Sequence, residues 1–139
     1  MATTILVIDD DPLIRQVCDL ALTQAGYTVA TAGTGESGLS MIDHTRAQLI
    51  LLDIQMPDMS GLAVLNMLRR HRRNRTPVMM LTAKSDVETI KTALSAGANG
   101  YMVKPFKPAD LVLRVQAALK PPSEAAAPVA KAPDRLILD

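Results

Sequence analysis

An open, doubly wound parallel α/β sheet is the fold this sequence predicts, and three observations predict it. Short apolar runs alternate with amphipathic helical stretches up to residue 120. Four of the runs are apolar at every position, as strands covered on both faces must be. Five strand-helix units in strict alternation then imply right-handed crossovers that lay helices on both sides of one sheet.

The strands are ILVI at 5–8, LILL at 49–52, VMML at 78–81 and YMV at 101–103, all too short for helices. A fifth, YTVAT at 27–31, alternates more and reads as an edge strand. Asp11 is placed to N-cap the first helix, Pro12 suits its first turn, and Gly26 stands where a C-terminal glycine belongs. Leu13, Val17, Ala21 and Ala25 recur every four residues and are expected to face inward. The second and third helices fall near 35–44 and 60–71. Ser85 and Glu88 form a capping-box pattern for the fourth, expected to bury Val87, Ile90 and Leu94 and to stop at Gly97. Pro108 opens the fifth, with Leu111, Val115, Ala118 and Leu119 facing in, and Pro121-Pro122 closes it.

The chain divides into a domain over 1–120 and an alanine- and proline-rich tail over 121–139 without apolar periodicity, read as a flexible tail or linker. A formal net charge of +1 exerts no global pull toward nucleic acid or anionic membrane. The single cysteine, Cys18, excludes an internal disulfide and fits a reducing compartment; in its apolar helical setting it reads as buried filler. No run reaches the ~18 consecutive apolar residues of a membrane span, and the N-terminus turns acidic too early for a signal peptide. A cytoplasmic protein with no membrane partner is expected.

The first strand ends in three consecutive aspartates, Asp9, Asp10 and Asp11. Like charges ~4 Å apart repel by roughly 4 kcal/mol near a protein surface, so such a cluster calls for a cation. The other buried strands also end in distinctive polar residues: Asp53, Thr82 and Lys104. In open parallel sheets these carboxyl ends share one edge, where ligands bind. The set would gather carboxylates, a hydroxyl and an ammonium in one crevice. Hard carboxylate oxygens suit Mg²⁺, with Mn²⁺ as the alternative, and no Cys/His cluster competes. An aspartate beside such an ion can act as a nucleophile toward phosphorus. Asp53 stands alone at its strand end and is the candidate, whereas Asp9 and Asp10 are paired for ligation and Asp11 serves the helix.

These residues resemble the receiver domains of bacterial two-component response regulators. The likeness runs from residue 3 to about 120 and rests on ILVIDDD, LILLDIQMPDMSGL, VMMLTA and GANGYMVKPF. It implies a flavodoxin-like (βα)5 fold with strand order 2-1-3-4-5. It also implies Asp53 as phosphoacceptor, Asp10 as direct and Asp9 as largely water-mediated Mg²⁺ ligand, and the backbone carbonyl of Gln55 as a further ligand. Thr82 resembles the switch hydroxyl, Lys104 the lysine that pairs with the phosphoryl group, and Tyr101 the aromatic switch that turns inward on activation. Pro105 matches an often-cis proline, and Ala83 a small residue that leaves room for the phosphoryl group. Pro57 and Gly61 read as turn residues. Gln55 and Lys84 flank the pocket, either as exposed loop residues or as groups tuning hydrolysis of the acyl phosphate.

The resemblance further implies a histidine kinase or histidine phosphotransfer protein as donor. A downstream protein would bind on the fourth helix, the strand bearing Tyr101 and the fifth helix. The state would be a monomer or a phosphorylation-dependent dimer. On this reading the chain is a signalling switch rather than an enzyme, with autophosphorylation and autodephosphorylation as its only chemistry.

Two rivals stand beside it. A degenerate receiver would bind partners without phosphorylation, though the Asp, Thr and Lys set is complete. An aspartate-nucleophile phosphatase would need an acid two residues after Asp53, where Gln55 stands. The run RRHRRNR at 69–75 is either a solvated helix end, its cations meeting the negative dipole, or a docking patch formed by Arg69, Arg70, Arg72, Arg73 and Arg75 for an acidic or phosphate-bearing ligand. With only two tyrosines and one phenylalanine in the chain, stacking platforms for bases are scarce and DNA binding is not expected.

Overall fold

The computed structural model describes residues 3–83 and 87–120. Five parallel strands, β1 (Thr4–Ile8), β2 (Thr28–Ala32), β3 (Leu49–Asp53), β4 (Val78–Thr82) and β5 (Gly100–Val103), form one sheet in the order β2-β1-β3-β4-β5. The expected order is met, and β2 is an edge strand as its alternation indicated. Between the strands run α1 (Pro12–Gln24), α2 (Gly35–Thr45), α3 (Gly61–Asn66) and α4 (Val87–Ser95), with α5 (Pro108–Ala118) after β5. The third helix, expected over 60–71, is α-helical only to Asn66 and widens into a π-helical segment, Met67–His71.

Alternate residues of each strand point to opposite faces and build two core layers. Leu6, Ile8, Ile50, Leu52, Val78 and Met80 pack against α2, α3 and α4. Ile5, Val7, Leu49, Leu51, Met79 and Leu81 pack against α1 and α5. The central strands β3 and β4 are buried at every residue, which explains why they read as unbroken apolar runs.

Two helix faces differ from expectation. On α1 the inward residues are Ile14, Cys18, Ala21 and Leu22, so Ala21 packs as expected and Val17 is half-buried, while Leu13 is 63% exposed and Ala25 is also exposed. The expected series and the series Ile14, Cys18 and Leu22 both have four-residue spacing, and α1 is apolar enough on two adjoining stripes that periodicity alone does not choose between them. On α4, Ile90 and Leu94 pack as expected and Ala93 joins them, but Val87 is exposed. Ser85, half of the expected capping box, lies outside the described residues, as do Lys84 and the tail over 121–139. Asp11 does cap α1: its side chain accepts a hydrogen bond from the Leu13 N–H at 2.9 Å. Gly26, at φ +102°, turns the chain out of α1 in a conformation that costs other residues free energy.

Cys18 is wholly buried, and burial above all pushes its thiol up to about 12. Only thiolate reacts at an appreciable rate, so alkylation by iodoacetamide at pH 8 is expected to be negligible in the folded chain and complete in denaturant. Rapid labelling of the native protein would place the cysteine elsewhere than in this layer.

Candidate functional site

The parallel register brings the strand ends to one level. Ile8 pairs with Leu52, Asp53 with Leu81 and Thr82 with Val103. Asp9, Asp53, Thr82 and Lys104 therefore lie side by side along the carboxyl edge of β1, β3, β4 and β5, where the sequence reading put them. Asp9, Asp53 and Thr82 are 0, 4 and 5% exposed, an unusual burial for two carboxylates that marks a built site rather than a loop edge. Asp10 is exposed at the rim. A shallow crevice of about 480 Å³ opens above, bordered by Asp10, Asp53, Gln55, Ala83 and Lys104.

One oxygen each from Asp9, Asp10 and Asp53 lies within 4.8 Å of the others. The Lys104 ammonium sits 2.7 Å from Asp9 Oδ2 and 3.3 Å from Asp53 Oδ1. Among the described residues, three carboxylates against one ammonium leave an excess of negative charge in a partly desolvated pocket. Burial first, then a hydrogen bond with the Asp10 carboxyl and the charge of Asp9, push Asp53 up to about 7, while Lys104 opposes the rise. Burial disfavours the Lys104 charge, but its hydrogen bond and charge interaction with Asp9, and then the charge of Asp53, outweigh that and raise its pKa. An all-oxygen, over-acidic trio of this kind fits a hard divalent cation.

Local geometry supports each group. Asp9 Oδ1 accepts from the Asp11 N–H at 2.9 Å, and the Asp9 carbonyl accepts from the Arg15 guanidinium at 2.8 Å. Asp53 Oδ1 accepts from the Gln55 N–H at 3.3 Å. The Lys104–Pro105 peptide is cis, as the resemblance implies for this position. Tyr101 is buried in the layer with Met80, Ile90 and Ala93, so its ring holds the inward position. Gln55 is exposed at the rim.

Two supporting residues escaped the sequence reading. Arg15 reaches back from α1 to the first strand end. Asp58, in the loop after Asp53, caps α2 from outside: its two oxygens accept from the Gly35 and Glu36 N–H groups, both at 3.0 Å. Those bonds hold its carboxyl below the usual range. They tie the acceptor loop to a helix 22 and 23 residues away in sequence, a pairing no local motif encodes.

The arginine run divides. Arg69 donates to the carbonyls of Gly97 and Asn74 and to Asn99, and Arg72 donates to the Leu39 carbonyl at 2.8 Å and pairs with Asp43 at 3.5 Å. Arg72 is thus a structural tie between the π-helical segment and α2, which removes it from the expected docking patch. Among the described residues, Arg70, Arg73 and Arg75 make no ion pair.

Comparison with known proteins agrees with this geometry. The family model described as the response regulator receiver domain matches residues 5–116. A probable transcriptional regulatory protein of Mycobacterium tuberculosis, TcrX, is 40% identical over 117 residues, which are 84% of this chain and 50% of that protein. The DNA-binding response regulator MtrA of Mycolicibacterium smegmatis is 39% identical over 120 residues, 86% of this chain and 52% of its own length. The chain thus spans about half the length of the curated relatives it matches. Among solved structures, the chemotaxis protein CheY4 of Vibrio cholerae superposes with a TM-score of 0.81 at 33% identity, covering 86% of this chain and all of that one. No described helix is long and apolar enough to cross a membrane. The family match over residues 5–116 and the superposition over 86% of the chain agree that this chain belongs to the response regulator receiver domain family of two-component signalling.

Proposed function

We propose that Asp53 accepts a phosphoryl group from the phosphohistidine of a histidine kinase or phosphotransfer protein. The observation that carries this is the buried Asp53 carboxylate set 3.3 Å from the Lys104 ammonium and beside Asp9 and Asp10. Oδ2, which neither Lys104 nor the Gln55 N–H engages, is the attacking atom. Its attack on phosphorus breaks the phosphorus–nitrogen bond of the donor, and the departing imidazole nitrogen takes a proton. Asp9, Asp10, Asp53 and the Gln55 carbonyl would hold Mg²⁺, which when bound offsets the charge gathered by the carboxylates and the phosphoryl oxygens. The Thr82 hydroxyl and the Lys104 ammonium supply hydrogen-bond donors to the other phosphoryl oxygens.

The output reads as a population shift on the face formed by α4, β5 and α5. A groove of about 540 Å³ runs along β5 and α5 there, with Tyr101, Phe106 and the 63%-exposed Leu113 on its walls. That face would serve a downstream protein, or an effector region like those of the DNA-binding relatives. The phosphatase reading finds no support at position 55, where an exposed glutamine offers no acid.

Incubation with acetyl phosphate and Mg²⁺, followed by intact mass, tests the chemistry. A single phosphoryl adduct is expected. Chelation should abolish it, and Thr82→Ala and Lys104→Ala should each slow its formation by at least tenfold. An adduct forming equally fast with chelator present would refute the metal-assisted route.

A further inference from the structure

A second cleft, of about 650 Å³, lies at the other end of the sheet from Asp53. It is lined by Arg69, Arg70, Arg73 and Arg75 together with Asn74 and Asn99. These residues come from the π-helical segment, the connection into β4 and the connection into β5, at the strands' amino ends.

Its floor is fixed. The Arg69 guanidinium donates to the Gly97 carbonyl through Nε at 3.1 Å and a terminal nitrogen at 2.9 Å, to Asn99 Oδ1 at 3.1 Å and to the Asn74 carbonyl at 2.7 Å. Gly97 permits this close approach, since a Cβ there would lie 2.9 Å from Arg69 Nε, and its φ of +109° also disfavours a side chain. Arg73 holds a left-handed backbone, φ 51°, which is uncommon for a residue of its size.

The lining is a donor surface. The side-chain oxygens of both asparagines are engaged, Asn74 Oδ1 by the Thr76 N–H at 2.8 Å and Asn99 Oδ1 by the Val78 N–H at 2.9 Å as well as by Arg69. What these side chains have left to offer is amide and guanidinium N–H. Among the described residues no carboxylate lines the cleft, and Arg70, Arg73 and Arg75 have no acidic partner. The positive charges also act on one another: burial and then the charge of Arg75 lower the pKa of Arg69.

We propose that this cleft binds a small polyphosphate anion, with Arg69 as the fixed floor and Arg70, Arg73 and Arg75 closing on phosphoryl oxygens. Planar guanidinium forks match phosphate oxygens in pairs. The volume falls within the range of small-molecule sites, and the described lining residues include no aromatic platform for a nucleic-acid strand. A nucleoside polyphosphate and an inorganic one share this chemistry.

Calorimetric titration of the full chain with inorganic tripolyphosphate and, separately, with ATP distinguishes them. Chelator and 150 mM salt exclude metal-mediated binding at Asp53 and weak surface association. Saturable one-to-one binding is expected, at least tenfold weaker in Arg70→Ala/Arg73→Ala/Arg75→Ala and at least threefold weaker in Arg75→Gln, an exposed change that leaves the bonds of Arg69 intact. Equal affinity for the two probes would assign recognition to the phosphates alone, and tighter ATP binding would add the nucleoside. Non-saturable binding, undiminished affinity in the folded Arg75→Gln variant, or tighter binding of a polyglutamate peptide than of either phosphate would overturn the proposal.

Discussion

Alanine at position 61 is expected to destabilise the chain by about 3 kcal/mol or more and to impair phosphoryl transfer as well. Gly61 opens α3 with its N–H bonded to the Ile54 carbonyl at 2.7 Å. A Cβ there would collide with the Asp53 carbonyl oxygen and stand 2.9 Å from both the Asp53 carbonyl carbon and the Ile54 Cα. Every one of these is backbone, so no side chain can swing away. Relief requires moving the segment that carries Asp53, and a nucleophile displaced by about 1 Å can lose on the order of 100-fold in rate. Urea unfolding and the acetyl phosphate reaction would be measured together. A variant with wild-type stability and wild-type labelling would show that α3 and β3 do not meet as described.

Asp53→Asn should have the opposite effect on stability. In the metal-free chain Asp53 titrates near 7 rather than at its ordinary 3.8. From about pH 4 to 7 the folded state therefore holds a proton that the unfolded state has lost, so this residue's contribution to stability falls as pH rises through that window. Above pH 7 the full cost applies, on the order of 2–4 kcal/mol. Asparagine removes the charge while keeping an acceptor for Lys104. With chelator present, the variant should melt well above the wild type at pH 8, and the gap should close toward pH 4. Mg²⁺ should raise the wild-type melting temperature more than that of the variant. A pH-independent gap would mean that the Asp53 carboxylate is not under the electrostatic load described.

The strand ends were legible because each buried run stops at a polar residue unsuited to a core, and parallel topology then leaves those residues on one edge. Asp9, Asp53, Thr82 and Lys104 meet there because the register aligns them. Helix faces were less legible. Leu13 and Val87 fit an apolar repeat as well as the residues that pack, and only the sheet decides which stripe turns inward. The arginine run was ambiguous for a different reason. Arg69 and Arg72 are held by carbonyls 28 and 33 residues away, while Arg70, Arg73 and Arg75 have no acidic partner among the described residues. Composition shows the charge but not which carbonyls absorb it. The same non-local bonding hid Asp58, a loop residue whose partners lie at the start of α2.

The central claim is that Asp53 carries the phosphoryl group. Borohydride reduction of the acetyl phosphate product converts an aspartyl phosphate to homoserine, which peptide mass spectrometry locates. Conversion confined to position 53, and absent from Asp53→Asn, is the predicted result. Conversion at Asp9 or Asp10, or an adduct that persists in Asp53→Asn, would contradict it.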